Sequence, residues 1–152
     1  MKNIDFIEFN DNFRQILNTW HLQEEEIGHD GFGKFITPSG VLLGDYIEFI
    51  QDNIKDIKCK LAKDGEDIVG FVCYIKNKGS LFIECMGVNP KSRGQGYSSA
   101  ILNMLKIECA SMGLRNITLN VHKNNTSGIR SFLKVGKMVE SSSENYLDFE
   151  IE

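Results

Sequence analysis

The feature that most constrains the fold is the stretch 81–112, LFIECMGVNPKSRGQGYSSAILNMLKIECASM. An apolar run over 81–88 stops at Asn89-Pro90, and a short polar loop carries the chain to Arg93-Gly94-Gln95-Gly96-Tyr97-Ser98. Beyond it Ile101, Met104, Leu105, Cys109 and Met112 recur at three- and four-residue steps, the spacing of one helix face. The unit reads as strand, glycine-bearing turn, helix.

Such a turn suits an anion. The first turn of a helix leaves backbone N–H groups without intrahelical partners, and the helix dipole makes that end electropositive. Glycines let the main chain approach a ligand closely, which makes the turn a cradle for phosphates. No Gly-Lys-Ser/Thr closes it, so it is not a Walker loop. Ser99 stands where a dinucleotide fingerprint needs its third glycine. Taken alone, two glycines after a strand fit a plain connection equally well.

The rest of the chain alternates short strands with amphipathic helices. Ile4, Phe6, Ile7 and Phe9 suggest a first strand. Asp11 or Asn12 is placed to cap a helix with Phe13, Ile16, Leu17 and Trp20 on one face. A loop rich in glycine and acid is expected from His21 to Gly40 (residues 21–40), and Leu43, Tyr46, Ile47, Ile50 and Ile54 then mark a second helix. Cys59 opens a strand, Lys63-Asp64-Gly65-Glu66 turns a hairpin, and the nearly all-apolar 68–75 reads as a central strand covered on both faces. After the glycine-turn helix, Gly113 is the expected C-cap. Ile117, Leu119 and Val121 alternate with polar residues, a further helix carries Ile129, Phe132 and Leu133, and Met138-Val139 and 146–151 form a last strand pair. The order β-α-α-β-β-β-α-β-α-β-β gives an α/β fold, a mixed sheet with helices on its faces, in one domain over 1–152.

Arg93-x-x-Gly96-x-Ser98, directly after Met86-Gly87-Val88-Asn89-Pro90, resembles the Q/R-x-x-G-x-G/A acetyl-CoA motif of the GNAT family of N-acetyltransferases. Ser98 departs from the usual glycine or alanine but stays small. A second block, Asn125-x-x-Gly128-Ile129-x-x-Phe132-x-Lys134-x-Gly136-Lys137, is similar to that family's N-x-x-A-I-x-x-Y-x-K-x-G-F. The resemblance is strongest over 81–137 and rests on element order before it.

The resemblance implies an acyl-CoA N-acyltransferase fold with splayed central strands, and an enzyme that moves the acetyl group of acetyl-CoA to a primary amine in a ternary complex. Met86, Gly87 and Val88 would pair through their backbone with the pantetheine arm, or else serve only as core. The pyrophosphate would sit on the N–H groups of Gly94, Gln95, Gly96, Tyr97, Ser98 and Ser99, with charge from Arg93. Asn125 would bond the pantetheine arm, cap its helix, or do both.

The chemistry needs a base for the amine, a donor for the oxyanion and a proton for the leaving thiolate. The family's tyrosine position holds Phe132, which keeps the ring near the cofactor without the hydroxyl. Tyr97, Tyr146 or water remain as acids, or the thiolate leaves unaided. One of the family's glutamate positions holds Asn120. Glu84, the only charged residue in LFIECMGV, is the leading base, because burial would raise its pKa into a useful range. Its alternative is a solvent-facing or lysine-paired glutamate. His122 is a weaker candidate, and His29 lies in the acidic loop. That loop, with Glu24, Glu25, Glu26, Asp30, Phe32 and Phe35, either lines an acceptor site for a cationic amine or is simply solvated.

Composition limits the alternatives. A net charge of −4 and a pI near 5.4 argue against nucleic acid as the main partner. Neither a basic-then-apolar leader nor a run near membrane-spanning length is visible, so a cytoplasmic protein with no membrane partner is expected. Cys59, Cys73, Cys85 and Cys109 form no C-x-x-C, and no histidine stands beside them at zinc spacing, so no metal is expected; three of the four sit inside apolar segments and read as small buried hydrophobes. The expected partner is a small-molecule or peptide amine, and a homodimer is left open. A second class of reading, a CoA-sensing or partner-binding module on the same scaffold, rests on Phe132 and Asn120.

Overall fold

A computed structural model describes residues 2–27, 37–38, 40–123, 125–139 and 143–152, with the side chains of 24–27 and 126–127 outside that description. The expected acceptor loop around His29, Asp30, Phe32 and Phe35, and the Glu24–Glu26 side chains (residues 24–26), therefore lie outside the described residues. The observed elements are β1 (Asp5–Glu8), α1 (Arg14–Ile27), α2 (Leu43–Asn53), β2 (Lys58–Asp64), β3 (Asp67–Asn77), β4 (Ser80–Val88), α3 (Tyr97–Ser111), β5 (Asn116–His122), α4 (Thr126–Leu133), β6 (Lys137–Val139) and β7 (Tyr146–Ile151), the order read from sequence. Short 3-10 turns precede α1 (Asp11–Phe13) and follow β4 (Pro90–Ser92).

The strands form one seven-stranded sheet in the order β1-β2-β3-β4-β5-β7-β6. Every neighbouring pair is antiparallel except β4 and β5. A parallel pair needs a crossover, and α3 supplies it. One face carries α1 and α2, whose Leu17, Trp20, Leu43, Ile47 and Ile50 pack on Leu61 and Phe71. The other face carries α3, whose Ile101, Leu102 and Leu105 pack on Val72, Leu81, Ile83, Ile117 and Leu119; Ile129 and Phe132 of α4 join that core. The six residues from Val69 to Tyr74 are all buried, as a strand between two helical layers requires.

Helix ends follow local chemistry. Asn10, not Asp11 or Asn12, caps the first helical turn, accepting from the Asn12 amide at 2.9 Å. Gly113 takes φ +69, and the Leu114 and Gly113 amides reach back to the Cys109 and Ala110 carbonyls at 3.0 Å, which closes α3. The α1–α2 crossing depends on Gly44. A Cβ there would meet the Arg14 carbonyl oxygen at 2.1 Å, and Asp45 beside it exchanges two hydrogen bonds with buried Asn18.

Some expectations need correction. The loop expected from His21 begins later, because α1 continues to Ile27. The run LQEEE is made of good helix formers, and acid content alone does not end a helix. Ile16, Met112 and Leu133 are exposed rather than on the buried face: Ile16 lies at the flank of α1, Met112 caps α3 beyond its last turn, and Leu133 ends α4.

Candidate active site

The site forms where β4 and β5 part. Their parallel pairing runs from Ser80↔Asn116 to Ile83↔Leu119 and stops there, although β4 continues to Val88 and β5 to His122. On its other side β4 stays paired with β3 as far as Val88↔Gly70. Among the described residues, 84–88 thus leave one edge of β4 without a partner strand, and Met86, Gly87 and Val88 lie on that edge.

The glycine turn sits at the end of this edge. Gly94 and Gly96 take φ +77 and +89, which favours glycine, and a Cβ on either would meet nothing within 4 Å. Gly96 is the N-cap of α3, and its carbonyl accepts from the Ala100 amide at 3.1 Å. The N–H groups of Tyr97, Ser98 and Ser99 therefore belong to the turn that has no intrahelical acceptors. Gly94, Gln95, Gly96 and Ser99 are exposed, and Arg93 and Ser98 are half-buried. An open glycine turn at the head of a 15-residue helix, beside a free strand edge, fits a ligand with a phosphate end and an extended amide-bearing arm.

Glu84 occupies a special place on the edge. Cys73 pairs with Cys85 and Tyr74 with Ile83, so Glu84 is the extra residue of a β-bulge. It is exposed, so the burial expected from its apolar neighbours is absent. The bulge, unreadable from composition, turns it out of the packed strand. Across the fork, Leu119 and Val121 are buried among the α3-side core, so Asn120 and His122 alternate to the opposite face. Their β7 partners, Asp148 and Tyr146, share that face. The His122 and Tyr146 rings meet edge-on, centroids 5.2 Å apart.

Tyr46 of α2 approaches the same face. Burial first, and then the charges of Cys85, Glu84, Cys73 and Tyr146, push its hydroxyl above the ordinary tyrosine range. Tyr46 and Asp148 were not among the sequence-predicted site residues. Tyr46 read as one more member of an amphipathic stripe, and Asp148 becomes visible only through its register with Asn120.

The two tyrosines considered as acids separate. Tyr146 joins the fork. The Tyr97 ring is buried, and its hydroxyl donates to Asp64 at 2.5 Å, a contact that raises its pKa. Asp64 ends β2, five residues beyond Cys59, the strand row nearest Glu84, so this hydroxyl is held at the other end of the strand from the bulge. Asn125 caps α4, its Oδ1 accepting from the Gly128 amide at 2.9 Å, which leaves its Nδ2 for another partner. Phe132 packs against Phe149, ring centroids 6.0 Å apart. A cavity of about 360 Å³ lined by Tyr74, Glu108, Lys58 and Lys76 lies at the opposite end of β4, and no sequence-predicted site residue lines it. Among the described residues no cluster of His, Cys, Asp and Glu is arranged to hold a metal, and no helix is long and apolar enough to cross a membrane.

Comparison with known proteins identifies the family and the fold. The model of the acetyltransferase (GNAT) family matches residues 20–136. The L-2,4-diaminobutyric acid acetyltransferase of Shouchella clausii is 31% identical over 85 residues, 54% of this chain; the match spans about half of that protein, 48%. Among solved structures, an acetyltransferase from Thermus thermophilus superposes with a TM-score of 0.76 at 12% identity, over 97% of this chain and 96% of that one. The PaiA N-acetyltransferase of Thermoplasma acidophilum, solved with coenzyme A, gives 0.71 at 15% identity, covering 99% of both chains. At such identities the structures speak for the fold, while the family model covers most of the chain, with the first motif and the second as far as Gly136 inside its span. This chain belongs to the acetyltransferase (GNAT) family.

Proposed function

We propose that the 152 residues form one N-acetyltransferase domain that transfers the acetyl group of acetyl-CoA to a primary amine by direct attack in a ternary complex. The observation that carries this reading is the parting of β4 from β5 after Ile83 and Leu119, with the glycine turn at the end of the freed edge. In this reading the amides of residues 94–99 hold the diphosphate, assisted by Arg93. The backbone of Met86, Gly87 and Val88 pairs with the pantetheine arm, and the Asn125 Nδ2 donates to it. Acetyl-CoA brings an activated thioester, and the protein supplies position and proton handling.

Glu84 is assigned as the base. Its carboxylate stands exposed at the crotch of the fork, where it takes the proton that the attacking amine must lose. Phe132 offers no proton, and Tyr97 is committed to Asp64. We therefore assign the departing sulfur to leave as thiolate, which an alkyl thiol of pKa about 8.5 allows; Tyr146 orders the amine beside it. Asp148, the β7 partner of Asn120, lies on the same face on the far side of the fork from Glu84. A second carboxylate across the fork suits an acceptor with two amino groups, one attacking and one held as ammonium. The working site is a reducing, cytoplasmic one.

Following free thiol with acetyl-CoA and a panel of amines tests the reading. The panel runs from 2,4-diaminobutyrate through polyamines to peptide N-termini. Thiol release above background with a diamine is the expected result. Tight CoA binding with no release for any amine would instead favour the binding-module reading, which Phe132 and Asn120 motivate.

A further inference from the structure

Three of the four cysteines are far apart in sequence but form a row in the sheet. Cys59 of β2 pairs with Cys73 of β3, and Cys73 pairs with Cys85 of β4. All four thiols are free. The row lies on the α1–α2 side: Cys59 and Cys73 are buried with Leu17, Trp20 and Ile47, and Cys85 packs at the margin of that cluster, partly exposed. Cys109 is on the other side of the sheet, where its thiol faces the Leu114 and Asn116 carbonyls at 3.6 and 3.5 Å.

Residues directly opposite in an antiparallel ladder have Cα atoms about 4.5 to 5.5 Å apart, within the roughly 4.4 to 6.8 Å that a disulfide spans. Both neighbouring pairs in the row meet that requirement, and they exclude each other because Cys73 is common to both. The three side chains share one packed cluster on that face. The thiols of Cys59 and then Cys85, together with burial, push Cys73 well above the ordinary thiol range, and contact with Cys73 draws Cys59 below it. Core cysteines that serve only as small hydrophobes have no need to stand shoulder to shoulder across three strands. Cys85 also gives the row an outlet at the bulge.

We infer that Cys85 and Cys73 are a thiol oxidation site that closes into a cross-strand disulfide when the protein meets a hydroperoxide, with Cys59 as an exchange partner. Cys85, the accessible member, attacks the peroxide: the O–O bond breaks, the thiol becomes sulfenic acid, and an alcohol or water leaves. The Cys73 sulfur then attacks the Cys85 sulfur, expelling water and forming the S–S bond. Two thiols have lost two electrons and two protons to one peroxide. Attack of Cys59 on Cys73 can pass the bridge one strand inward and return Cys85 to the thiol. The bridge would tie β3 to β4 next to Glu84.

The test treats the folded full-length chain with hydrogen peroxide in stoichiometric amount, alkylates the remaining thiols and maps peptides without reduction. The inference expects two of four thiols to disappear, the mass to fall by two hydrogen atoms, and the bridge to map to Cys73–Cys85 or Cys59–Cys73. Dithiothreitol should restore all four. Cys109→Ser should bridge as the wild type does, and Cys85→Ser should slow thiol loss tenfold or more. Four intact thiols, oxidation of Cys85 to sulfinic acid without a bridge, or a bridge through Cys109 or between chains would overturn it. The mapping on wild-type protein decides the question even if Cys85→Ser fails to fold, and it requires no acetyl transfer.

Discussion

The two halves of β4 have opposite tasks. From Ser80 to Ile83 the strand is held on both edges, by β3 and by β5. Buried Ser80 donates to Asn116, whose Nδ2 donates to Glu150 at 2.6 Å, and this chain ties β4, β5 and β7 together. Beside it, buried Tyr74 donates to Glu108 of α3 at 2.6 Å. Beyond Ile83 the strand has one partner, a bulge, an exposed carboxylate and a glycine turn. The lesson is that the open edge is affordable to the fold only because the closed half is stitched in three directions. Stability should therefore reside in one half and chemistry in the other.

Substitutions can separate these roles. The largest effect is expected for Glu84→Gln in the open half. Its kcat should fall about 10²- to 10⁴-fold, with CoA affinity and thermal midpoint unchanged. Equal turnover in the variant would remove Glu84 as the base. Asn116→Ala in the closed half should do the reverse. It strands Ser80 and Glu150, so urea unfolding should show a loss of about 2 kcal/mol, while CoA affinity of the folded fraction holds. Gly96→Val puts a β-branched residue at φ +89 in the proposed cradle. We expect CoA to bind at least tenfold more weakly in calorimetry, a change of about 1.4 kcal/mol.

The smallest effect concerns alkaline pH. Burial, followed by the Glu108 contact, holds the Tyr74 hydroxyl far above the tyrosine value of about 10, so the folded chain keeps a proton that the unfolded chain releases. Stability is thus complete below about pH 10 and falls above it, by at most about 1.4 kcal/mol per pH unit. Tyr74→Phe should flatten that slope in unfolding curves measured on either side of pH 10.

The order of elements and both motifs were legible because they depend on local spacing: the alternation at Ile117, Leu119 and Val121, the stripe at Ile101 and Leu105, and the glycines around Arg93. What was not legible depends on register. The bulge moves Glu84 from the expected buried position to solvent, and no composition signal marks a bulge. Asp148 joins the fork only because it pairs with Asn120, and the cysteine row exists only because three strands align. Tyr97 stood among the possible acids, yet Asp64, 33 residues away, holds its hydroxyl.

Amide hydrogen exchange, with and without CoA, tests the division of β4 most directly. New protection is expected at residues 86–88 and 94–99, with 80–83 already protected and unchanged. Protection confined to other segments, or no change anywhere at saturating CoA, would contradict it.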